Sequence, residues 1–150
     1  MDFSSFNDVI VFAIRREEEA AKGYEDLFKM AKDESARKLL LDLQEEEKNH
    51  KKILQGLTEA KAEAAAGKDV RDLKISDYLV AEPLDPAMNF QDLLIFAAKK
   101  EKKAVELYKD LANEAKTREL KRLFEYLEKQ EKAHKLRLEL EYEKHVLWED

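Results

Sequence analysis

Leu43-Gln44-Glu45-Glu46-Glu47-Lys48-Asn49-His50-Lys51-Lys52-Ile53-Leu54 and Leu127-Glu128-Lys129-Gln130-Glu131-Lys132-Ala133-His134-Lys135-Leu136-Arg137-Leu138 are two copies of one stretch. In each copy Leu, Glu, His and Leu step by four, three and four residues, which lays them along one face of an α-helix. A Glu and a His therefore stand in a seam that the flanking leucines mark as buried. With 22 Glu among 150 residues, a Glu three positions before a His arises readily by chance, so either copy alone is weak. The surrounding pattern carries the weight.

Upstream of the first copy, Phe6, Ile10, Ala13, Glu17, Ala20, Tyr24, Leu27, Phe28 and Ala31 follow helical spacing, with Ser4 or Ser5 as N-cap and Asp8 in the first turn. Asp33-Glu34-Ser35 marks a short turn and a new cap. The second helix carries Ala36, Leu39, Leu40, Leu43, Glu47, His50, Leu54 and Leu57 on one face. It is expected to continue through the Ala-rich stretch to Ala66 and to stop at Gly67. Residues 67–89 then form a crossover in which Leu73, Ile75, Tyr78 and Leu79 can build a short packed turn, while Pro83 and Pro86 exclude regular helix.

Asn89 is the next N-cap. A third helix presents Phe90, Leu94, Ala97, Glu101, Ala104, Tyr108, Leu111 and Ala115. After a turn at Lys116-Thr117-Arg118, a fourth presents Leu120, Leu123, Phe124, Leu127, Glu131, His134, Leu138 and Tyr142. Residues 5–54 and 89–138 align without a gap, an internal duplication of a helical hairpin. Matching pairs include Phe12/Phe96, Ala13/Ala97, Glu17/Glu101, Tyr24/Tyr108, Leu43/Leu127, Glu47/Glu131 and His50/His134. The predicted architecture is all-α: a four-helix bundle of two antiparallel hairpins joined by a long crossover, with residues 1–150 as one domain.

Glu17 and Glu47 are separated by 30 residues, as are Glu101 and Glu131, with a turn midway in each case. Antiparallel helices then bring each Glu pair to the same height. Four Glu and two His converge at mid-bundle, and buried carboxylates at close range demand protonation or a counter-cation. Two divalent ions would cancel the four charges. Carboxylates with imidazole suit Fe(II) or Mn(II), and zinc also binds such sites tightly.

The composition agrees with long amphipathic helices: 41% charged residues, 3 Gly and 2 Pro. A net charge of −6 argues against nucleic acid as partner. No apolar run reaches the ~20 residues of a membrane span. The N-terminus has no basic stretch before its apolar run, so a cytoplasmic location is the expectation. No Cys is present, which excludes disulfides, thiolate sites and a cysteine nucleophile. Glu18, Glu19, Glu45 and Glu46 read as solvated helix faces, and His145 as a surface residue.

The two halves, FAIRREEEAAKGY to EEEKNH (Phe12 to His50) and FAAKKEKKAVELY to KQEKAH (Phe96 to His134), resemble the ferritin-like di-iron carboxylate superfamily, specifically its rubrerythrin branch. The shared pattern is Glu, Ala at +3, Tyr at +7 and Glu-x-x-His at +30. The resemblance implies a ferritin-like bundle holding two Fe ions. Glu17 and Glu101 would be terminal ligands, Glu47 and Glu131 bridging ligands, and His50 and His134 terminal nitrogen ligands. Tyr24 and Tyr108 would donate hydrogen bonds to ligand carboxylates. It further implies reduction of hydrogen peroxide or dioxygen, and a homodimer.

Two departures qualify the resemblance. Rubrerythrins usually carry a Cys-ligated rubredoxin iron site; with no Cys, this chain must draw electrons from a separate donor, such as a rubredoxin-like protein. They also carry an extra Glu one turn after the terminal Glu of the third helix, where this chain has Ala104, leaving its halves alike. The same six residues would equally serve a ferroxidase or iron-handling protein; a further alternative is a metal-free structural bundle whose site is a relict.

Overall fold

The protein is described by a computed structural model covering residues 5–57, 73–80, 85 and 87–148. Among the described residues, four α-helices organise it: α1 (Phe6–Met30), α2 (Glu34–Gln55), α3 (Phe90–Glu114) and α4 (Arg118–Trp148), with a 3-10 turn at Ile75–Tyr78. α1 pairs with α2 and α3 with α4. α1 also packs on α3, and α2 on α4, closing a four-helix bundle.

Each helix starts where a side chain can accept an otherwise unpaired backbone N–H. Ser5 Oγ accepts from the Asp8 amide at 3.1 Å, and Asp33 Oδ1 from that of Ala36 at 2.7 Å. Asn89 and Asp92 cap each other reciprocally at 2.9 and 3.2 Å. Thr117 Oγ1 accepts from the Leu120 amide at 3.2 Å.

α2 ends sooner than expected. It ends at Gln55 with Gly56 as the cap, whose amide donates to Lys52 O and Ile53 O at 3.1 and 3.2 Å; residues 58–66 lie outside the described residues. Gly67, the expected stop, lies outside the described residues. In the crossover, Leu73 and Tyr78 are buried, and the Tyr78 hydroxyl donates to Asp110 Oδ2 at 2.7 Å, pinning the turn to α3. Leu79, expected to pack, is 52% exposed. Pro83 and Pro86 lie outside the described residues.

The apolar core divides in two. One cluster, with Phe6, Ile10, Leu54, Leu111, Phe124 and Leu127 among its members, gathers the start of α1, the end of α2, the end of α3 and the start of α4. The other, with Tyr24, Leu27, Leu40, Leu43, Leu94 and Leu138, gathers the opposite ends. Between them lies a layer of buried charge. Among the described residues, no helix is long and apolar enough to cross a membrane.

Candidate metal centre

Glu17 on α1, Glu47 and His50 on α2, Glu101 on α3, and Glu131 and His134 on α4 are all buried, none more than 2% exposed. They meet at one level because each helix offers its residue halfway along, as the equal spacing within each hairpin requires. His50 Nδ1 lies 3.1 Å from Glu47, 3.3 Å from Glu131 and 3.5 Å from Glu17. His134 Nδ1 lies 3.2 Å from Glu47, 3.2 Å from Glu131 and 3.8 Å from Glu101. The two imidazoles stack, centroids 5.6 Å apart and planes inclined by 12°.

The donor atoms fall into two overlapping groups: Glu17, Glu47, His50 and Glu131, and Glu47, Glu101, Glu131 and His134. Within each, one ligand atom per residue lies within 4.8 Å of the others. Glu47 and Glu131 belong to both, as a bridging pair would.

The set fits metal ions on a further ground. Glu17 Oε2, Glu47 Oε1, His50 Nδ1, Glu101 Oε2, Glu131 Oε1 and His134 Nδ1 are buried and make no aligned hydrogen bond; the polar atoms they face are one another. One such atom per residue, all turned inward, is a costly arrangement for a core and fits the donor chemistry of a carboxylate–imidazole metal site.

Tyr24 and Tyr108 donate to these carboxylates, across the two hairpins. Tyr24 donates to Glu101 Oε1 at 2.5 Å, and Tyr108 to Glu17 Oε1. Each tyrosine thus fixes the Glu of the other half. Burial, reinforced by the adjoining carboxylates, pushes both phenols well above their usual range, so they remain donors.

Periodicity does not reveal Arg16. Its side chain, 12% exposed, reaches into the centre and touches all four carboxylates. Nη1 donates to Glu47 Oε2 at 2.8 Å and to Glu131 Oε2, and lies 3.1 Å from Glu17 Oε1. Nη2 stands 2.8 Å from Glu101 Oε1. The repeat equivalent, Lys100, lies 3.5 Å from Glu19 and 5.5 Å from the centroid of the Phe96 ring. The halves are alike in the six ligand-type residues and unlike in this cation. A basic residue at the same position of both halves was the available signal. Which of the two turns inward depends on side-chain reach, and the one-dimensional pattern does not carry that.

Glu46 also differs from expectation. Rather than lying on a purely solvated face, its side chain is 34% exposed and its Oε1 pairs with His134 Nε2 at 3.2 Å, while Oε2 accepts from Arg137 at 3.1 Å. A carboxylate behind an imidazole holds the ring so that its other nitrogen faces the centre. Glu18, Glu19 and Glu45 are solvent-facing as expected, their side chains 48%, 69% and 70% exposed. His145 is not a plain surface residue. At the far end of the bundle it packs edge-on to Phe90 at 5.0 Å, with Nε2 2.9 Å from Glu141 and 3.7 Å from Asp33.

The charges hold one another in place. Burial raises the Glu17 carboxyl, with Glu47 adding to it and Arg16 opposing; burial raises Glu101 well above the ordinary range. Glu131 goes the other way: burial would raise it, but Arg16, with help from His134 and His50, brings it down to about 2. Burial would lower both imidazoles, yet the facing carboxylates, Glu131 foremost, push His50 up to about 12 and His134 up to about 11.

A pH dependence follows. A His whose folded value exceeds its unfolded value of about 6.5 contributes stability that is complete below that pH and is lost as pH rises toward the folded value. The protein in EDTA is therefore expected to lose about 5 °C or more of melting temperature between about pH 6.5 and 9.5. With bound metal, which takes the neutral imidazoles, the slope should flatten. Thermal melts with and without metal check this; a flat or rising profile in EDTA would contradict the ionic arrangement.

A groove of about 890 Å³ opens between α1 and α3, its lining including Tyr24, Leu27, Met30, Leu93, Phe96 and Glu101. It brings solvent-accessible space alongside the Tyr24–Glu101 hydrogen bond.

Residues 8–142 match the family model described as Rubrerythrin. A solved structure of a hypothetical protein from Pyrococcus furiosus is similar with a TM-score of 0.73 and 30% identity, covering 95% of this chain and 90% of that one. No curated protein matches the chain significantly.

Proposed function

The chain belongs to the rubrerythrin family, and from that premise we propose that it is a non-haem di-iron redox protein, reducing hydrogen peroxide or dioxygen with electrons from a separate donor. The observation that supports this reading is the set of six inward-facing donor atoms at mid-bundle that make no aligned hydrogen bond and face one another. Glu47 and Glu131 would bridge the two ions, Glu17 and Glu101 would each bind one, and His50 and His134 would each supply Nδ1. A reduced iron pair bound there supplies two electrons for cleaving an O–O bond.

The protein's own groups define the conditions for that chemistry. Tyr24 and Tyr108 hold Glu101 and Glu17 in one orientation, so the carboxylates are positioned before an ion arrives. Glu46 fixes the ring of His134. Two apolar clusters exclude water above and below the layer, and the groove between α1 and α3 offers a small oxidant a path to Glu101. These 150 residues hold no Cys with which to build a rubredoxin-type site, so the proposal takes its electrons from a separate donor.

The test is rapid mixing of the anaerobic Fe(II)-loaded protein with hydrogen peroxide. Iron oxidation is expected to run at least about tenfold faster than for free Fe(II) at the same concentration. Oxidation no faster than free Fe(II) would overturn the proposal.

A further inference from the structure

The four carboxylates already have a cation. Arg16 projects a planar guanidinium into the middle of the layer, within 3.1 Å of Glu17 and 2.8 Å of both Glu47 and Glu101, and in hydrogen-bond contact with Glu131. A guanidinium has donors in a fixed fork, suited to several carboxylates at once. Each of the four carboxylates gives one oxygen to Arg16 and keeps the other turned toward the imidazoles: Glu47 uses Oε2 for Arg16 and Oε1 for both His rings, and Glu131 does the same. Bridging carboxylates need both oxygens for metal, so a guanidinium and a pair of ions draw on the same atoms.

We infer that Arg16 is a built-in counter-cation of the centre that holds the carboxylates together without metal and gives way as metal ions bind. The inference rests on the reading of this cluster as a metal centre. It goes further in assigning a role to a residue outside the ligand set, on one half of the repeat alone. Metal binding is then an exchange, in which the ions must displace an internal competitor. The apparent affinity is reduced by the fraction of molecules in which the guanidinium has withdrawn. Withdrawal is feasible because the side chain is rooted near the surface of α1 and retains 12% exposure. Its loss should act in opposite directions on two measurable quantities, which a purely structural role would not produce.

The experiment uses the full chain and Co(II) as probe, by chelator competition with the visible Co(II) bands as a second readout, together with thermal melts in EDTA. Arg16→Gln is expected to bind Co(II) about tenfold or more tightly than the unaltered protein. In EDTA it should melt lower, because four buried carboxylates lose their guanidinium partner. Arg16→Lys, which keeps a charge but lacks the fork, should fall between the two in both readouts. It carries the test if Arg16→Gln does not fold without metal. Equal or weaker Co(II) binding by the variants, with the unaltered protein binding normally, overturns the exchange and leaves the metal centre standing. Failure of the unaltered protein to bind Co(II) at all overturns the metal centre itself, and the exchange with it.

Discussion

Glu131→Ala is expected to weaken binding of both metal ions by at least about 100-fold, which abolishes stoichiometric loading at micromolar metal. No other single carboxylate apart from Glu47 enters both donor groups, and Glu131 adds contacts to both imidazoles and to Arg16. Losing it removes a ligand from each ion at once, whereas losing Glu17 or Glu101 removes one ligand from one ion. The fold should survive, since Leu127 and Leu138 on either side of Glu131 remain buried in separate apolar clusters. Glu45→Ala, on α2 with a side chain 70% exposed, should bind metal as the unaltered protein does. Titration with Zn(II) against a chelator measures both; stoichiometric binding by Glu131→Ala would show that Glu131 is no bridge.

The largest loss of stability is expected from Phe124→Ala, about 3–5 kcal/mol. Phe124 is fully buried, meets Phe6 edge-to-face at 6.1 Å and stacks on Tyr108 at 6.3 Å. Removing the ring opens a cavity at the end of the bundle where α1, α3 and α4 converge, and the helices cannot collapse into it without leaving their caps. Tyr108 also loses its ring neighbour, so its hydrogen bond to Glu17 should loosen and metal affinity should drop as a secondary effect. Denaturant unfolding measures the stability. Leu136→Ala, at a position 56% exposed, should stay within about 0.5 kcal/mol of the unaltered protein. A similar cost for both substitutions would contradict the assignment of the core.

The parts of this structure that periodicity governs were legible in the residues. The helix starts at Ser5, Asp33 and Asn89 follow from short side chains that can accept a backbone hydrogen bond, which is local chemistry. The six inward residues follow from their place in an apolar seam repeated twice. What escaped depends on how far a side chain reaches between helices. Arg16 stands beside Glu17, off its stripe, yet its length carries the guanidinium to residues on all four helices. Glu46 lies one position from Glu47 and meets a His from the other hairpin. Tyr24 and Tyr108 donate to carboxylates of the opposite half, a pairing set by how the hairpins dock. The end of α2 was misplaced because the Ala-rich stretch has high helix propensity, while Gly56 caps the helix before that stretch begins.

Arg16 also changes the meaning of the duplication. A symmetric pair of half-sites would treat its two ions alike. One guanidinium, supplied by α1 while the equivalent Lys100 on α3 pairs with Glu19 instead, must be displaced from an otherwise twofold donor set as metal binds. The two ions are then expected to differ in affinity.

The most direct measurement is the metal content of protein purified without chelators and then reconstituted anaerobically with Fe(II). Two overlapping donor groups sharing Glu47 and Glu131 predict about two ions per chain, both lost in Glu131→Ala. No bound metal after reconstitution, or a single ion indifferent to that substitution, would contradict a dinuclear centre.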